Sequence, residues 1–490
     1  RQELEGYRAF SASRQTQVNL RAAYAPDELS RLTLVLNAID QPLAQSPGAL
    51  PIDSVRADPR MAWPNNVLTR SGEKTRQGQA GVAYTRSIGG GQLDVAGYAL
   101  ARSVENPLPF GFIELTRRGG GVRAAWSTST TLATLPLALT AGADADLQSD
   151  DRREYDNAGG RPGSDLRRDQ VDRVAAVGPF VQAELQLTPT LVAMLGGRYD
   201  AVRFRTTDAF LGDGDDSGER TLDAFSPVAG LTYAASPTLR VYANVATSFQ
   251  TPTTTELINA PPAPGEECCP AGFNTQLEPQ RAVSYEVGVK GEIAGRVLYD
   301  VAVYHMDLTN ALVPFQVAGA ESREFFRNSG RTRHRGVEIG ASGTIQRLAL
   351  TGAYTFSDFS FVDDGLDGAD FEGNEFPGVP PHHLFLGARF DAGRRVTLDA
   401  RLDHTSEYFA TDANDPASAN PAATVVDLRV LFATRFGGLG VRPFIALNNV
   451  FDERYNSSVV LNAFGARYFE PAPGRNLAVG LTLGTGGWAR

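Results

Sequence analysis

The side chains most able to do chemistry are few and scattered. The 490-residue chain has five histidines, His305, His334, His382, His383 and His404, and two cysteines, Cys268 and Cys269. His382 and His383 are neighbours, so on a strand they point to opposite faces and do not chelate one metal. Cys268 and Cys269 are also neighbours, in CCPAG (268–272). Bonding adjacent cysteines requires a strained ring, so the pair is no disulfide framework. A loop staple, a pair of idle thiols, or soft ligation of copper or haem iron remain open. Two acidic loops, GDGDDSGE (212–219) and DDGLDGAD (363–370), gather carboxylates with glycine. They could hold Ca²⁺, yet neither has EF-hand spacing, so a solvated loop is the plainer reading. There is no GxSxG, no HExxH and no Walker loop, and no catalytic residue is assigned.

The elements that would carry these residues are strands. In LTGAYTFS, Leu350, Gly352, Tyr354 and Phe356 share one face and Thr351, Ala353, Thr355 and Ser357 the other. In RVTLDARLD, Val396, Leu398, Ala400 and Leu402 oppose Thr397, Asp399, Arg401 and Asp403. TLRVYANVA repeats the pattern, with Arg240, Tyr242 and Asn244 on the polar side. The chain's last clear strand has Leu477, Val479, Leu481 and Leu483 on one face. These are period-2 segments with one greasy face. Many run about 10–13 residues, enough to cross a bilayer at a tilt. No run of about 18 apolar residues supplies a spanning helix.

Connections alternate short and long. Short ones are SPT (236–238), IAG (293–295), DAGR (391–394) and GGLG (437–440). Long ones fall at about 39–75, 149–172, 207–221, 250–280, 309–332, 360–381, 407–423 and 452–473. Tight turns on one rim and long loops on the other are the layout of a transmembrane antiparallel β-barrel. Closure removes edges that lipid does not tolerate. A soluble propeller also alternates, but it should repeat every 40–50 residues, and no such repeat is present. The net charge of −10 disfavours nucleic acid as a partner. The cations are almost all Arg, Lys74 and Lys290 being the only lysines.

Several stretches together resemble the TonB-dependent outer-membrane receptors, in that family's order. They are FSPVAGLTYAASPTLRVYANVATSFQTPTTTEL (225–257), NTQLEPQRAVSYEVGVKGEI (274–293), FFRNSGRTRHRGVEIG (325–340), FEGNEFPGVPPHHLFLG (371–387), and NNVFDERYNSS (448–458) followed by PAPGRNLAVGLTL (471–483). Gln280 stands where the family usually has Glu, and GTGGWAR follows Leu483 where the family usually stops on an aromatic residue. Glu286, Glu338 and Lys290 lie on the polar faces of their strands, as a wet lumen accepts. The resemblance implies a 22-strand barrel with an N-terminal plug. About 19 strands are expected here, beginning near 15–24. The direction of the first and last strands matches the fourth to the twenty-second, which leaves the plug, the energy-coupling box and the first strands outside this sequence.

The resemblance further implies an outer-membrane receptor and transporter of a Gram-negative bacterium, taking up a ferric siderophore as transported ligand. Cobalamin, haem or oligosaccharide are alternatives, as is a passive porin-like channel. No enzyme activity and no resident cofactor or metal are expected. Partners would be the TonB energy-coupling complex, reached through the absent N-terminal region, with outer-membrane lipid and lipopolysaccharide. A ferric chelate is bulky, often anionic and partly aromatic, so Arg and aromatic residues of the long loops are candidate contacts. They are Trp63, Arg70, Tyr155, Phe273, Phe315, Arg323, Phe326, Tyr408, Phe409 and Phe464.

Overall fold

Alternating sequences pair edge to edge into one antiparallel sheet of 21 members. The computed structural model describes residues 1–258, 260, 272–315, 325–328, 330–363, 371–393, 395–437 and 439–485. Two members are short flanking pieces, Gln2–Leu4 and Thr434–Phe436. The other nineteen form the wall, from Ser13–Asp27 to Asn476–Thr485, each strand paired antiparallel with the next. Among the described residues these two end strands do not pair with each other, so the sheet is not closed.

One rim is made of tight turns. Ile88 pairs with Gly91 across Gly89 and Gly90, whose φ of 55° and 80° a two-residue primed turn requires. Ala133 (φ 58°) and Gln346 (φ 56°) take the left-handed region at equivalent positions. The opposite rim is irregular and tall. Three expected loops are shorter than the sequence suggested. Strands Ser30–Gln45 and Gly72–Ile88 consume the ends of 39–75. More markedly, 149–172 is no loop. Strands Leu135–Asn157 and Pro162–Thr188 run through it and leave only residues 158–161 as a turn.

The reason is charge complementarity across the ladder. Glu154 pairs with Arg168 and Arg153 with Asp169, so a stretch rich in Asp and Arg becomes a stable hairpin. At 23 and 27 residues these strands run roughly 75–90 Å, far more than a bilayer needs. The stretch 207–221 is shortened at both ends, leaving residues 209–217 as its loop.

The two faces of the wall differ as the alternation implied. Leu477, Val479, Leu481 and Leu483 are 68%, 72%, 58% and 54% exposed on the outer face. Their partners Leu447, Ile445, Pro443 and Val441 continue that face. The inner face is polar. Lys290 pairs across with Asp300 and lies 5.2 Å from the Tyr242 ring. Glu286 pairs with Asn244 and Glu338 with Thr355. Arg198 bridges Asp144 at 2.5 Å and Asp200 at 2.7 Å. The outer face therefore suits lipid and the inner face water.

Candidate functional site

The tall rim carries two packed lobes. In the first, the short helix Thr254–Leu257 starts with a capping box, Thr253 and Glu256 each satisfying the other's backbone. The cap drives Leu257 down onto the inner wall, where it packs with Phe204, Leu222 and Leu277. Phe273, Leu312 and Phe326 close the cluster from the loops. Asn328 ties those loops together, donating to the Glu278 carbonyl at 2.8 Å and accepting from the Glu278 N–H at 2.7 Å.

Beside this cluster the inner wall holds a buried polar network. Asp150 lies directly opposite Asp172, two inward acids facing each other. Arg117 answers Asp150 with a bidentate pair at 2.8 and 2.7 Å. Gln170 and Thr206 donate to Asp172 at 2.8 and 2.7 Å. Higher up, Arg152 pairs with Glu154 at 2.6 Å and donates to Thr255 of the capped helix at 3.0 Å. Arg168 donates to Gln170 at 3.0 Å. Above the network opens a cleft of about 510 Å³, lined by Phe110, Tyr155, Arg152, Arg168 and Phe210 among others. It combines guanidinium groups with flat aromatic surface.

The second lobe joins residues 46–71 to residues 371–381, 406–422 and 449–475. Leu50 and Phe469 are fully buried against each other's backbone. Arg467 stacks 4.9 Å over the Trp63 ring, and burial pushes its guanidinium down from its ordinary pKa. Arg8 donates to the Gly48 and Met61 carbonyls. Asn462 and Asn374 bracket Asp412, whose carboxyl burial pushes up.

The expected contacts disperse over these lobes. Tyr155 lines the cleft. Phe273 and Phe326 pack in the first lobe's core, so their apolar area is spent on folding the loops. Phe315 pairs in register with Phe325. Trp63 is stacked by Arg467, and Tyr408 and Phe409 pair with Asn420 and Ala419. Burial also pushes the Tyr408 hydroxyl up. Phe464 is 71% exposed, and Arg70 is exposed at φ 49° beside Gly160. Arg323, Cys268, Cys269, residues 364–370 and Trp488 lie outside the described residues.

The sequence reading missed Phe110, Arg152, Arg168 and Phe210. Alternation of charge through 150–154 and 165–172 was the available signal. His382 and His383 do face opposite ways. The first accepts or donates with the Tyr354 hydroxyl at 2.9 Å, the second with Asp403 at 3.2 Å. In the acidic loop 212–219, Asp215 accepts the Ser217 N–H, and Asp208 at the end of the preceding strand accepts the Asp216 N–H. No group of three or more His, Cys, Asp or Glu is placed to hold a metal ion among the described residues.

Residues 10–450 match the family model described as TonB dependent receptor-like, beta-barrel. The chain belongs to the TonB-dependent receptors. Sequence relatives include the metal-pseudopaline receptor CntO of Pseudomonas aeruginosa (strain UCBPP-PA14), 27% identical over 65% of this chain and 42% of that one. Another is the ferric-pyoverdine M114 receptor PbuA of Pseudomonas sp. (strain M114), 25% identical over 60% of this chain and 34% of that one. This TonB-dependent receptor barrel thus spans well under half the length of these relatives. Its fold is similar to that of the ferric citrate transporter FecA, with a TM-score of 0.79 at 18% identity over 97% of this chain and 71% of that one. It is also similar to the siderophore receptor PiuA from Acinetobacter baumannii, with a TM-score of 0.75 at 15% identity over 97% of this chain and 74% of that one.

Proposed function

We propose that this chain is the wall of an outer-membrane receptor that imports a ferric siderophore or similar metal chelate with TonB-derived energy. The observation that carries the reading is the cleft on the tall rim. Arg152, Arg167 and Arg168 supply guanidinium donors, set against Glu154, Asp165 and Asp213 in the same lining, and Phe110, Tyr155 and Phe210 supply flat apolar surface. Anionic chelates with aromatic or amide surface need both. Sequence relatives named as receptors for metal-pseudopaline and ferric pyoverdine support the same ligand class. Energy coupling, gating and the plug would come from regions of the whole protein outside this sequence. The wall itself needs no covalent chemistry, because capture and release are changes of affinity.

The test is quenching of intrinsic tryptophan fluorescence in the purified protein by ferric citrate, ferric pyoverdine and metal-pseudopaline. Saturable quenching by at least one chelate, weakened by Phe210→Ala and by Arg152→Gln, supports the proposal. Absence of saturable binding by all three, together with steady ion conductance in a planar bilayer, would make the chain a passive channel.

A further inference from the structure

Outward positions on four neighbouring strands change character along one line. On the turn-rim side of that line they are apolar and open. Val122, Leu147, Val177, Val181 and Leu195 are 62%, 69%, 48%, 49% and 64% exposed. On Pro162–Thr188 the outward apolar positions run from Leu187 to Ala175. That run covers roughly 40 Å of strand and about 30 Å of height at a barrel's tilt, the thickness of a hydrocarbon core.

The next outward position is Arg173. Register places it opposite Ser149 on one side and Arg205 on the other, and Ser149 lies opposite Arg118. Arg203 sits one outward step lower, opposite Ala175. Arginines therefore line up across neighbouring strands where the outward apolar run ends, on the tall-rim side.

The row is poorly neutralised. Like charges directly opposite on a sheet destabilise it, as Arg173 and Arg205 do here. Glu219 serves Arg203 at 2.6 Å and is 4.0 Å from Arg205. Arg118 and Arg173 are exposed and have no ion pair among the described residues. Asp151 is the nearest outward acid above Ser149, and it faces Arg153, which Asp169 also holds at 3.4 Å. Three other outward cations toward this rim are matched, Lys74 with Glu105 at 2.7 Å, Arg76 with Asp40 at 3.0 Å and Arg333 with Asp307 at 3.6 Å, whereas Arg281 and Arg331, which flank Thr309, have no ion pair among the described residues either. Arg118 and Arg173 stand two strand spacings apart, roughly 9–10 Å, across the short Ser149 side chain. Two guanidinium forks at that separation can converge on one tetrahedral anion.

We infer that Arg118, Arg173 and Arg205 form a docking site for the phosphate of an outer-leaflet lipid headgroup, such as that of lipopolysaccharide. This rests on the outer-membrane reading above, and the test separates the two. The full chain is first floated with lipid vesicles, then examined by native mass spectrometry with diphosphorylated lipid A, with its dephosphorylated form, and with inorganic phosphate alone.

Arg118→Gln combined with Arg173→Gln is expected to weaken lipid A binding by at least about ten-fold, as loss of charge-assisted contacts implies. Arg76→Gln combined with Arg333→Gln should leave it unchanged. The dephosphorylated lipid should bind as weakly to the wild type as lipid A does to the double variant. Inorganic phosphate alone should not be retained. If the double variant loses its folded migration on an unheated gel, Arg118→Lys with Arg173→Lys replaces it; that pair keeps charge but lacks the forks, and should bind at an intermediate level. Wild-type affinity in the variants, equal binding of the dephosphorylated lipid, or equally firm retention of inorganic phosphate would each overturn the site. A chain that fails to float refutes the membrane reading itself, and this site with it.

Discussion

Removing Arg117 should loosen the top of the tall hairpin. The Asp150 side chain is 3% exposed and sits opposite Asp172, with the bidentate Arg117 pair as its ionic partner. Gln148 adds only one further donor, at 3.1 Å. Breaking a buried pair from one side leaves an uncompensated charge and costs about 3–5 kcal/mol. The reciprocal change should cost less, because the Arg117 side chain is 33% exposed and can turn to water. Because stability is local in such an element, amide exchange is the readout. With Arg117→Ala, the amides of residues 148–154 should exchange roughly 100-fold faster or more, each 1.4 kcal/mol being a factor of ten. Asp150→Asn should show a clearly smaller effect. Protection equal to wild type in Arg117→Ala, or a larger loss in Asp150→Asn, would refute the reasoning that this carboxylate is held by its partner.

Leu402→Arg places a cation on the outward face among Leu386 and Val426, and should lower folding stability in bilayers by about 2–4 kcal/mol. Thr397→Arg, on the inner face, should cost little; both are read from folded fractions on unheated gels in a urea series. Thr253→Ala removes the capping box of Thr254–Leu257 and should cost about 1 kcal/mol locally, seen as faster proteolysis near that helix. Burial holds the Asp412 carboxyl above its ordinary pKa, so folding favours its protonated form. The second lobe is then favoured most below the ordinary carboxylate range and loses that contribution as pH rises through the raised value. Asp412→Asn should therefore slow proteolysis of residues 406–422 near neutral pH, and the advantage should vanish in acid.

Much of the wall was legible because period-2 alternation reports directly on a sheet with lipid on one side and water on the other. The segment around Leu398 and Arg401 needed no tertiary information to be read. The hairpin through 149–172 was not legible in the same way. A run such as SDDRREYD is polar on both faces and looks like solvated loop. Its strand character depends on which charges the partner strand presents, and Arg168 and Asp169 supply them only in the observed register.

The cleft was hidden for a related reason. Tyr155 could be picked out as a rim aromatic, but Phe110 and Phe210 join it only through the pairing of four strands, from Gly111–Leu132 to Leu191–Asp208. Phe273 and Phe326 show the opposite case. Their composition suggested ligand contact, while their surroundings make them the glue of the first lobe.

The most direct test of the account is a nitroxide scan along Thr397, Leu398, Asp399, Ala400, Arg401 and Leu402 in the bilayer-reconstituted protein. The strand Val396–Thr405 lies within the wall, paired on both sides, so its faces are set by register. The account predicts oxygen accessibility, marking lipid, at Leu398, Ala400 and Leu402. It predicts accessibility to a water-soluble nickel chelate at Thr397, Asp399 and Arg401. Nickel access on both faces, or no alternation at all, would contradict a membrane-spanning wall.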